Sequence, residues 1–161
     1  MEFFVHLTVG QEAPGFNLPD AGMEYVELEN FRHKNNVVLF FYPKDGTPYC
    51  TEEATDFSDH EEAFAEHGCV LLGVSRDDCL RHAEFCDRAG IGIRLLSDAS
   101  GEVCRQYCVW HPKVVDGVKK YAVSRSTFVI DKQGVIRHAL YDVNYKGHAL
   151  DVLELVKALD A

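Results

Sequence analysis

The pattern of apolar and polar positions predicts a buried sheet whose strands are separated by helices. Three continuous apolar runs, typical of strands buried on both faces, occupy residues 37–42, 69–74 and 127–130. The last run leads through a turn ending at Gly134 into an apolar segment at 135–141, and this arrangement predicts a β-hairpin. Residues 16–18 and 25–28 predict a small additional hairpin near the start of the chain.

Helical segments are predicted between and after these strands. They cover residues 51–67, a stretch from Asp77 or Asp78 to about Ala89, a short piece at 102–107, and residues 149–159. Gly68 and Gly90 favour ends for the first two helices, and the final one has apolar residues at a 3.6-residue spacing. Strands that alternate with helices, followed by a hairpin and a closing helix, predict an α/β fold with mixed strand directions.

Length and charge limit the number of domains and the kinds of partner that this chain can have. The 161 residues suit one domain, residues 1–161, at about 150 residues per domain. The net charge of −10 argues against nucleic acid or an anionic membrane as a partner, since both select basic surfaces. No apolar run approaches the ~18 residues of a membrane span, and residues 1–7 lack the features of a signal peptide. We therefore expect a cytoplasmic location.

The chain has six cysteines, and in a reducing compartment we expect thiols that are free, redox-active or metal-bound. Cys50 follows the 37–42 strand and its turn and directly precedes the 51–67 helix. In the first turn of a helix, unpaired N–H groups and the positive end of the helix dipole favour a thiolate, the reactive form of cysteine. A cysteine that merely packs in the core is the alternative, and position alone leaves both open.

Residues 41–53, Phe-Tyr-Pro-Lys-Asp-Gly-Thr-Pro-Tyr-Cys-Thr-Glu-Glu, resemble the active-site segment of peroxiredoxins, Pro-x-x-x-Thr-x-x-Cys. The Tyr-Pro-Lys-Asp opening and the Cys-Thr-x-Glu ending are similar to the Q branch, also called bacterioferritin comigratory protein. Further likenesses, which extend the resemblance over about residues 8–160, lie at 74–77, 96–98, 125–131 and 147–149. The resemblance implies a thioredoxin-like fold, with a central mixed β-sheet flanked by helices and an N-terminal hairpin extension.

The resemblance also implies roles for particular residues. Cys50 is expected to be the peroxidatic cysteine, whose thiolate attacks a peroxide oxygen and becomes a sulfenic acid. Thr47 and the Cys50 backbone N–H would donate hydrogen bonds to the reacting atoms, and Arg125 would hold the thiolate and polarise the peroxide. Pro43 would shape the pocket and shield the sulfenic acid. Glu53 would either orient Arg125 or complement the helix dipole, and the sequence leaves both open.

The cysteine that resolves the sulfenic acid differs among Q-type members. One pattern places it five residues after the peroxidatic cysteine, where this chain has Thr55. Another places it on the following helix, and Cys86 matches that pattern. The resemblance therefore implies a Cys50–Cys86 disulfide, formed through local unfolding of the Cys50 turn and of helix 79–89. Cys79 and an external thiol are the alternatives.

The remaining polar and sulfur-bearing residues predict little further chemistry. Cys69 is expected in the core, while the Cys104/Cys108 and Cys79/His82 pairs offer fewer ligands than zinc needs. No metal, haem or flavin cofactor is implied. The Asp45 side chain and the acidic run 52–62 are predicted to be solvated. Gly46 and Tyr49 depart from the usual Q-type loop, and the Tyr49 ring is expected to influence peroxide access or local unfolding.

The function implied is a thiol peroxidase that acts in antioxidant defence. Its substrates would be hydrogen peroxide and alkyl hydroperoxides, and thioredoxin, glutaredoxin or another dithiol would reduce it. A monomer is expected. A redox sensor or relay, a thioredoxin-like disulfide reductase and a Cys–His hydrolase are the alternatives. The lack of a Cys-x-x-Cys motif counts against the reductase, and no histidine is assigned to Cys50 by motif.

Overall fold

The computed structural model describes residues 6–159, without the side chains of Lys113 and Val115. Its strands are β1 (Asn17–Pro19), β2 (Tyr25–Glu27), β3 (Asn36–Phe41), β4 (Cys69–Ser75), β5 (Arg94–Ser97), β6 (Trp110–Val115), β7 (Val118–Val123), β8 (Ser126–Ile130) and β9 (Ile136–Leu140). Its α-helices are α1 (Pro48–Asp59), α2 (Glu61–Glu66), α3 (Cys79–Ala89), α4 (Glu102–Gln106) and α5 (His148–Leu159), and Leu28–Phe31 form a 3-10 helix. The expectation of no signal peptide concerns residues 1–7, most of which lie outside the described range.

A five-stranded mixed sheet forms the centre of the molecule, with strand order β5-β4-β3-β8-β9. β3, β4 and β5 run parallel, while β8 is antiparallel to β3 and to β9. The β1–β2 and β6–β7 pairs form two separate hairpins. The predicted mixed sheet, the N-terminal hairpin and the β8–β9 hairpin are therefore confirmed.

Strand β3 is buried along its whole length, as its unbroken apolar run predicts. Its side chains alternate between two hydrophobic clusters: Leu39 and Phe41 contribute to one, while Val38 and Phe40, with Tyr42 just after the strand, contribute to the other. The second cluster also contains buried residues of α1, α2, α3 and α5, whereas the first contains those of α4 and the N-terminal hairpin. The sheet is thus covered on both faces.

Helix α3 has the boundaries that its sequence predicts. The Asp78 carboxylate accepts a hydrogen bond from the Arg81 backbone N–H at 2.8 Å and caps the first turn. Gly90 ends the helix in the left-handed conformation, with φ of 68°, which glycine adopts without a side-chain clash. This helix carries Cys86. None of the helices in the described range is long and apolar enough to cross a membrane.

One predicted helix was incomplete, and two features of the sheet structure were not predicted. The helix predicted at 51–67 is two helices, because the chain bends at His60, whose backbone leaves the helical region. Strand β5 was missed because it has four residues and no clear alternation. The β6–β7 hairpin was also missed, although Asp116-Gly117, with φ of 52° and 76°, forms the two-residue turn that such dipeptides favour.

Candidate active site

Cys50 lies at the carboxyl end of β3, in the first turn of α1. Thr47 is the N-cap and Pro48 the first helical residue, where its missing N–H removes no hydrogen bond. Cys50 is consequently the third helical residue, and backbone N–H groups in this turn lack an acceptor within the helix. Only 2% of Cys50 is exposed. The predicted placement of Cys50 at a helix start is confirmed.

Arg125 brings a positive charge to the Cys50 sulfur. The residue directly precedes β8, whose first residue Ser126 pairs with Phe41 at the end of β3. This antiparallel pairing carries Arg125 to the edge of the sheet where α1 begins. Its Nη2 donates a hydrogen bond to Cys50 Sγ at 3.2 Å, and its Nη1 donates one to Glu53 Oε1 at 2.9 Å. One guanidinium therefore joins two residues of the first two turns of α1.

The guanidinium is held firmly in its charged form. Burial alone would lower the pKa of Arg125, but the Glu53 carboxylate and the Cys50 sulfur outweigh burial, and the pKa lies above its usual value. The side chain is 14% exposed, so the charge acts in a setting where water screens it weakly. A fixed cation at this position favours negative charge on the Cys50 sulfur and on any oxygen that approaches it.

Glu53 is a buried acid and not part of a solvated helix face. Its side chain is 2% exposed and pairs with Arg125, so the ion-pair interpretation is confirmed and the solvated one is wrong at this position. Its second oxygen, Oε2, is buried and has no hydrogen-bond partner among the described residues. Burial raises the pKa of Glu53 from 4.5 to about 7, although Arg125 opposes this shift.

The raised pKa predicts how Glu53→Gln changes the pH dependence of stability. Below about pH 4.5 the acid is protonated in both the folded and unfolded states, and it resembles glutamine. As the pH rises towards 7, only the unfolded state releases the proton readily, so the wild type loses stability relative to the variant. We expect a relative loss of about 3 kcal/mol in the free energy of unfolding. Urea unfolding of both reduced proteins between pH 4 and 8 measures it, and a pH-independent difference would contradict the assignment.

Thr47 and Pro43 lie in the turn that precedes Cys50. The Thr47 hydroxyl donates to the Lys44 carbonyl oxygen at 3.1 Å, and the Thr47 carbonyl oxygen accepts hydrogen bonds from the Thr51 hydroxyl and backbone N–H. Pro43 is exposed and directly follows Tyr42, a buried residue just after β3. Gly46 has φ of 81°, and this left-handed conformation favours glycine at a position where the sequence departs from the usual Q-type loop.

Tyr49, the other departure, lies on the surface and is 60% exposed. Its ring stacks on Tyr145, with 4.7 Å between the ring centroids. Tyr145 belongs to the segment before α5, so the stack connects that segment to the first turn of α1. Tyr49 therefore adds a contact that holds the turn around Cys50 in place.

Cys86 lies near the end of α3 and is half-buried. Burial, together with the negative charges of Asp45 and Asp87, raises the pKa of its thiol to about 11. Burial also raises the pKa values of Cys79, Cys104 and Cys108. These four cysteines are consequently thiols at neutral pH in this conformation. No disulfide joins any of the six cysteines, all of which lie in the described range.

The prediction that the Asp45 side chain is solvated was wrong, and its partner His82 was not predicted. The Asp45 side chain is 4% exposed, because it accepts hydrogen bonds from His82 and from the Tyr42 hydroxyl. His82 is fully buried, and its ring nitrogens face Asp45 and the Leu96 carbonyl oxygen. Neither nitrogen is left for a metal shared with Cys79. Within residues 6–159, no group of three or more His, Cys, Asp or Glu side chains is arranged to hold an ion.

Known proteins are similar to this chain in sequence, and solved structures are similar to it in fold. A model of the AhpC/TSA family matches residues 9–139. The peroxiredoxin Bcp of Bacillus subtilis is 37% identical over 151 residues, which cover 94% of this chain and 96% of the relative. A structure reported for the alkyl peroxide reduction activity of Xanthomonas campestris bacterioferritin comigratory protein has a TM-score of 0.87 at 33% identity, and covers 91% of this chain and 92% of its own.

Two further Xanthomonas campestris structures are cysteine-to-serine variants of peroxiredoxin Q. Both are 34% identical to this chain, with TM-scores of 0.87 and 0.85. They cover 91% and 89% of this chain, and 92% and 90% of their own.

The chain therefore belongs to the AhpC/TSA family. Within that family it is a peroxiredoxin of the Q type, as residues 41–53 indicate, and the expected thioredoxin-like fold is confirmed. It is a thiol peroxidase, an oxidoreductase that acts on peroxides and takes its electrons from a thioredoxin-like reductant.

Proposed function

We propose that Cys50 is the peroxidatic cysteine and Cys86 the resolving cysteine of this peroxidase. The observation that carries the proposal is the 3.2 Å hydrogen bond from Arg125 Nη2 to Cys50 Sγ in the first turn of α1. Hydrogen peroxide and alkyl hydroperoxides are the proposed substrates. The site combines a nucleophile, a fixed cation and a helix start, which together suit attack on an uncharged O–O bond.

In the first step the Cys50 thiolate attacks the terminal oxygen of the peroxide. The S–O bond forms as the O–O bond breaks, the sulfur is oxidised to a sulfenic acid, and the leaving oxygen takes a proton to become water or an alcohol. Negative charge spreads over the two oxygens in the transition state. Arg125 and the Cys50 backbone N–H are fixed donors that stabilise this charge, because they need no reorientation during the reaction.

Thr47 and Pro43 complete the proposed peroxide pocket. Rotation about the Thr47 Cα–Cβ or C–O bond moves its hydroxyl proton from the Lys44 carbonyl oxygen to a bound peroxide. Pro43 fixes the backbone where β3 passes into the turn, and it lacks an N–H that would hold water there. Thr47 therefore acts through the direction of its hydroxyl donor, and Pro43 acts through the shape of the turn.

In the second step the Cys86 sulfur attacks the Cys50 sulfenic acid, forming a disulfide and releasing hydroxide, which is protonated to water. In α3 the raised pKa of Cys86 keeps it a thiol. Unwinding of the helix brings the thiol into water, which favours the nucleophilic thiolate. The two cysteines replaced in the Xanthomonas campestris variants stand as far apart in that chain as Cys50 and Cys86 do in this one, which supports the pairing.

A dithiol protein then returns the disulfide to two thiols, and thioredoxin or glutaredoxin is the proposed donor. We propose that residues 1–161 form one domain that acts as a cytoplasmic monomer, independently of nucleic acid, membranes and cofactors. The acidic net charge supports independence from nucleic acid and from membranes. Direct catalytic turnover, and not transfer of oxidation to a partner, is the proposed activity.

Cys86→Ser tests the proposed division of roles. We expect the rate of a single Cys50 oxidation to stay within about twofold of wild type, because the variant keeps Arg125 and the helix start. Thioredoxin-supported steady-state turnover should fall by at least about tenfold, because the sulfenic acid lacks its partner. Cys79→Ser, on the same helix, is the matched control and should retain both rates. Turnover lost in Cys79→Ser and kept in Cys86→Ser would reassign the resolving cysteine.

A further inference from the structure

A buried ion pair connects the turn that leads to Cys50 with the helix that carries Cys86. His82 Nδ1 lies 2.6 Å from Asp45 Oδ2, and the two side chains are 0% and 4% exposed. Asp45 precedes Cys50 by five residues, and His82 precedes Cys86 by four, which places it one helical turn away on the same side of α3. The pair therefore joins the two segments that must separate for a disulfide to form.

Every polar side-chain atom of this pair has a hydrogen-bond partner. His82 Nε2 faces the Leu96 carbonyl oxygen at 2.9 Å, and since a carbonyl only accepts, Nε2 carries a proton. The 2.6 Å separation of Nδ1 and Asp45 Oδ2 is that of a short, charge-assisted hydrogen bond. The Tyr42 hydroxyl donates to the other Asp45 oxygen at 2.6 Å. Both buried partners are thus fully hydrogen-bonded, which is the condition for such a pair to hold its geometry.

The turn keeps other anchors when this pair is broken. The Asp45 backbone N–H donates to Asp77 Oδ2 at 2.8 Å, and that carboxylate also accepts from the Ser75 hydroxyl at 2.7 Å. These bonds fasten the turn to the segment between β4 and α3, where the Asp77 carboxylate also lies 3.7 Å from the Arg81 guanidinium in the first turn of α3. Loss of the His82 side chain therefore removes the direct side-chain link between α3 and Asp45, while the turn before Cys50 keeps its bond to Asp77.

We propose that the His82–Asp45 pair locks α3 onto the active-site turn and sets the rate at which Cys86 reaches the Cys50 sulfenic acid. The inference rests on the proposed roles of the two cysteines. His82 is a positioning residue, because it acts through the helix and does not touch the reacting atoms. Unwinding of α3 requires this pair to separate, and separating one partner from a buried ion pair is costly. The lock therefore prolongs the life of the sulfenic acid.

A long-lived sulfenic acid is exposed to a second peroxide. In that reaction the Cys50 sulfenate takes another oxygen and becomes a sulfinate, while the peroxide is reduced to water or an alcohol. Disulfide formation and this second oxidation compete for the same species. The lock thus determines the peroxide concentration at which the enzyme inactivates itself, as well as the rate of the second step.

His82→Gln tests the lock in the full-length protein. The glutamine amide can still donate to the Leu96 carbonyl oxygen, but the charge-assisted bond to Asp45 is lost. Rapid mixing with peroxide, followed by thiol alkylation and intact-mass analysis, separates sulfenic acid, disulfide and sulfinate. We expect disulfide formation at least about tenfold faster, sulfenic acid formation within about twofold of wild type, and less sulfinate at high peroxide.

Val26→Ala is the matched control, because it removes buried apolar volume from β2, in the cluster on the opposite face of the sheet. Its disulfide rate should equal that of wild type although its melting temperature falls. Asp45→Asn supplies a second, milder variant, since its amide can accept from Tyr42 and donate to His82 without the charge. We expect about threefold faster disulfide formation, because neutral hydrogen bonds are weaker than charge-assisted ones.

Disulfide formation at the wild-type rate in both His82→Gln and Asp45→Asn would overturn the proposed lock. If His82→Gln does not fold, the disulfide rate of Asp45→Asn alone tests the lock. Equal acceleration in Val26→Ala would overturn it too, because global destabilisation would then explain the effect. Wild-type protein that forms no Cys50–Cys86 disulfide would overturn the proposed function, and the lock with it. Slower sulfenic acid formation at an unchanged disulfide rate would place His82 in the first step and contradict the proposal.

Discussion

Replacement of Cys50 by serine is expected to abolish peroxide reduction while the protein remains folded. A serine hydroxyl stays protonated at neutral pH and is a poor nucleophile without an adjacent base, whereas a thiolate is both ionised and polarisable. The hydroxyl also fits where the sulfur lies and can still accept from Arg125. Consumption of hydrogen peroxide in the presence of a thioredoxin system measures the loss.

Cys108→Ser provides the comparison for this variant. Cys108 is half-buried after α4, contributes to the edge of the opposite core cluster, and has a raised pKa because of burial. We expect Cys108→Ser to retain peroxide reduction within about twofold, because its sulfur contacts no cation of the site. Peroxide reduction by Cys50→Ser would contradict the assignment of Cys50 as the nucleophile.

Substitution of Arg125 by methionine should have the next largest effect. We expect the second-order rate constant with peroxide to fall by about 10²–10³, which is typical when one fixed donor to a developing negative charge is removed. Methionine retains much of the volume but neither the charge nor the two hydrogen bonds to Cys50 and Glu53. Stopped-flow measurement of Cys50 oxidation in single turnover isolates this step from disulfide formation.

Arg125→Lys separates the charge from the geometry. An ammonium group keeps the charge but cannot donate along two fixed directions to Cys50 and Glu53 at once, so we expect partial recovery relative to methionine. Arg137→Lys is the control, because Arg137 is an exposed arginine that bonds a carboxylate, Asp131, at 3.4 Å. It should behave as wild type. Full activity in Arg125→Met would contradict the role assigned to the guanidinium.

Much of the site could be predicted because most of its residues lie close together in the sequence. Thr47, Cys50 and Glu53 fall within seven consecutive residues, and a buried strand followed by a turn and an amphipathic helix fixes where they lie. Arg125 is 75 residues from Cys50, and its approach depends on the pairing of β8 with β3. The family resemblance predicted that Arg125 approaches Cys50, whereas hydrophobic periodicity alone does not predict this contact.

The buried polar pair was missed for a physical reason. Aspartate in a turn is usually solvated, and a lone histidine on a helix carries no signal of its partner. Whether Asp45 and His82 are buried depends on the packing of α3 against the turn after β3, a contact between residues 37 positions apart. Short-range patterns likewise missed β5, whereas the Asp116-Gly117 dipeptide was a usable signal for the β6–β7 hairpin.

The most direct test of the proposed two-cysteine mechanism is to determine the oxidation state of each cysteine after one equivalent of hydrogen peroxide. Fully reduced protein is mixed with peroxide, quenched by alkylation, digested and analysed by mass spectrometry. We expect rapid formation of one disulfide, between Cys50 and Cys86, with the other four cysteines alkylated. An unmodified Cys50 beside slow, scattered oxidation of the other thiols would contradict it.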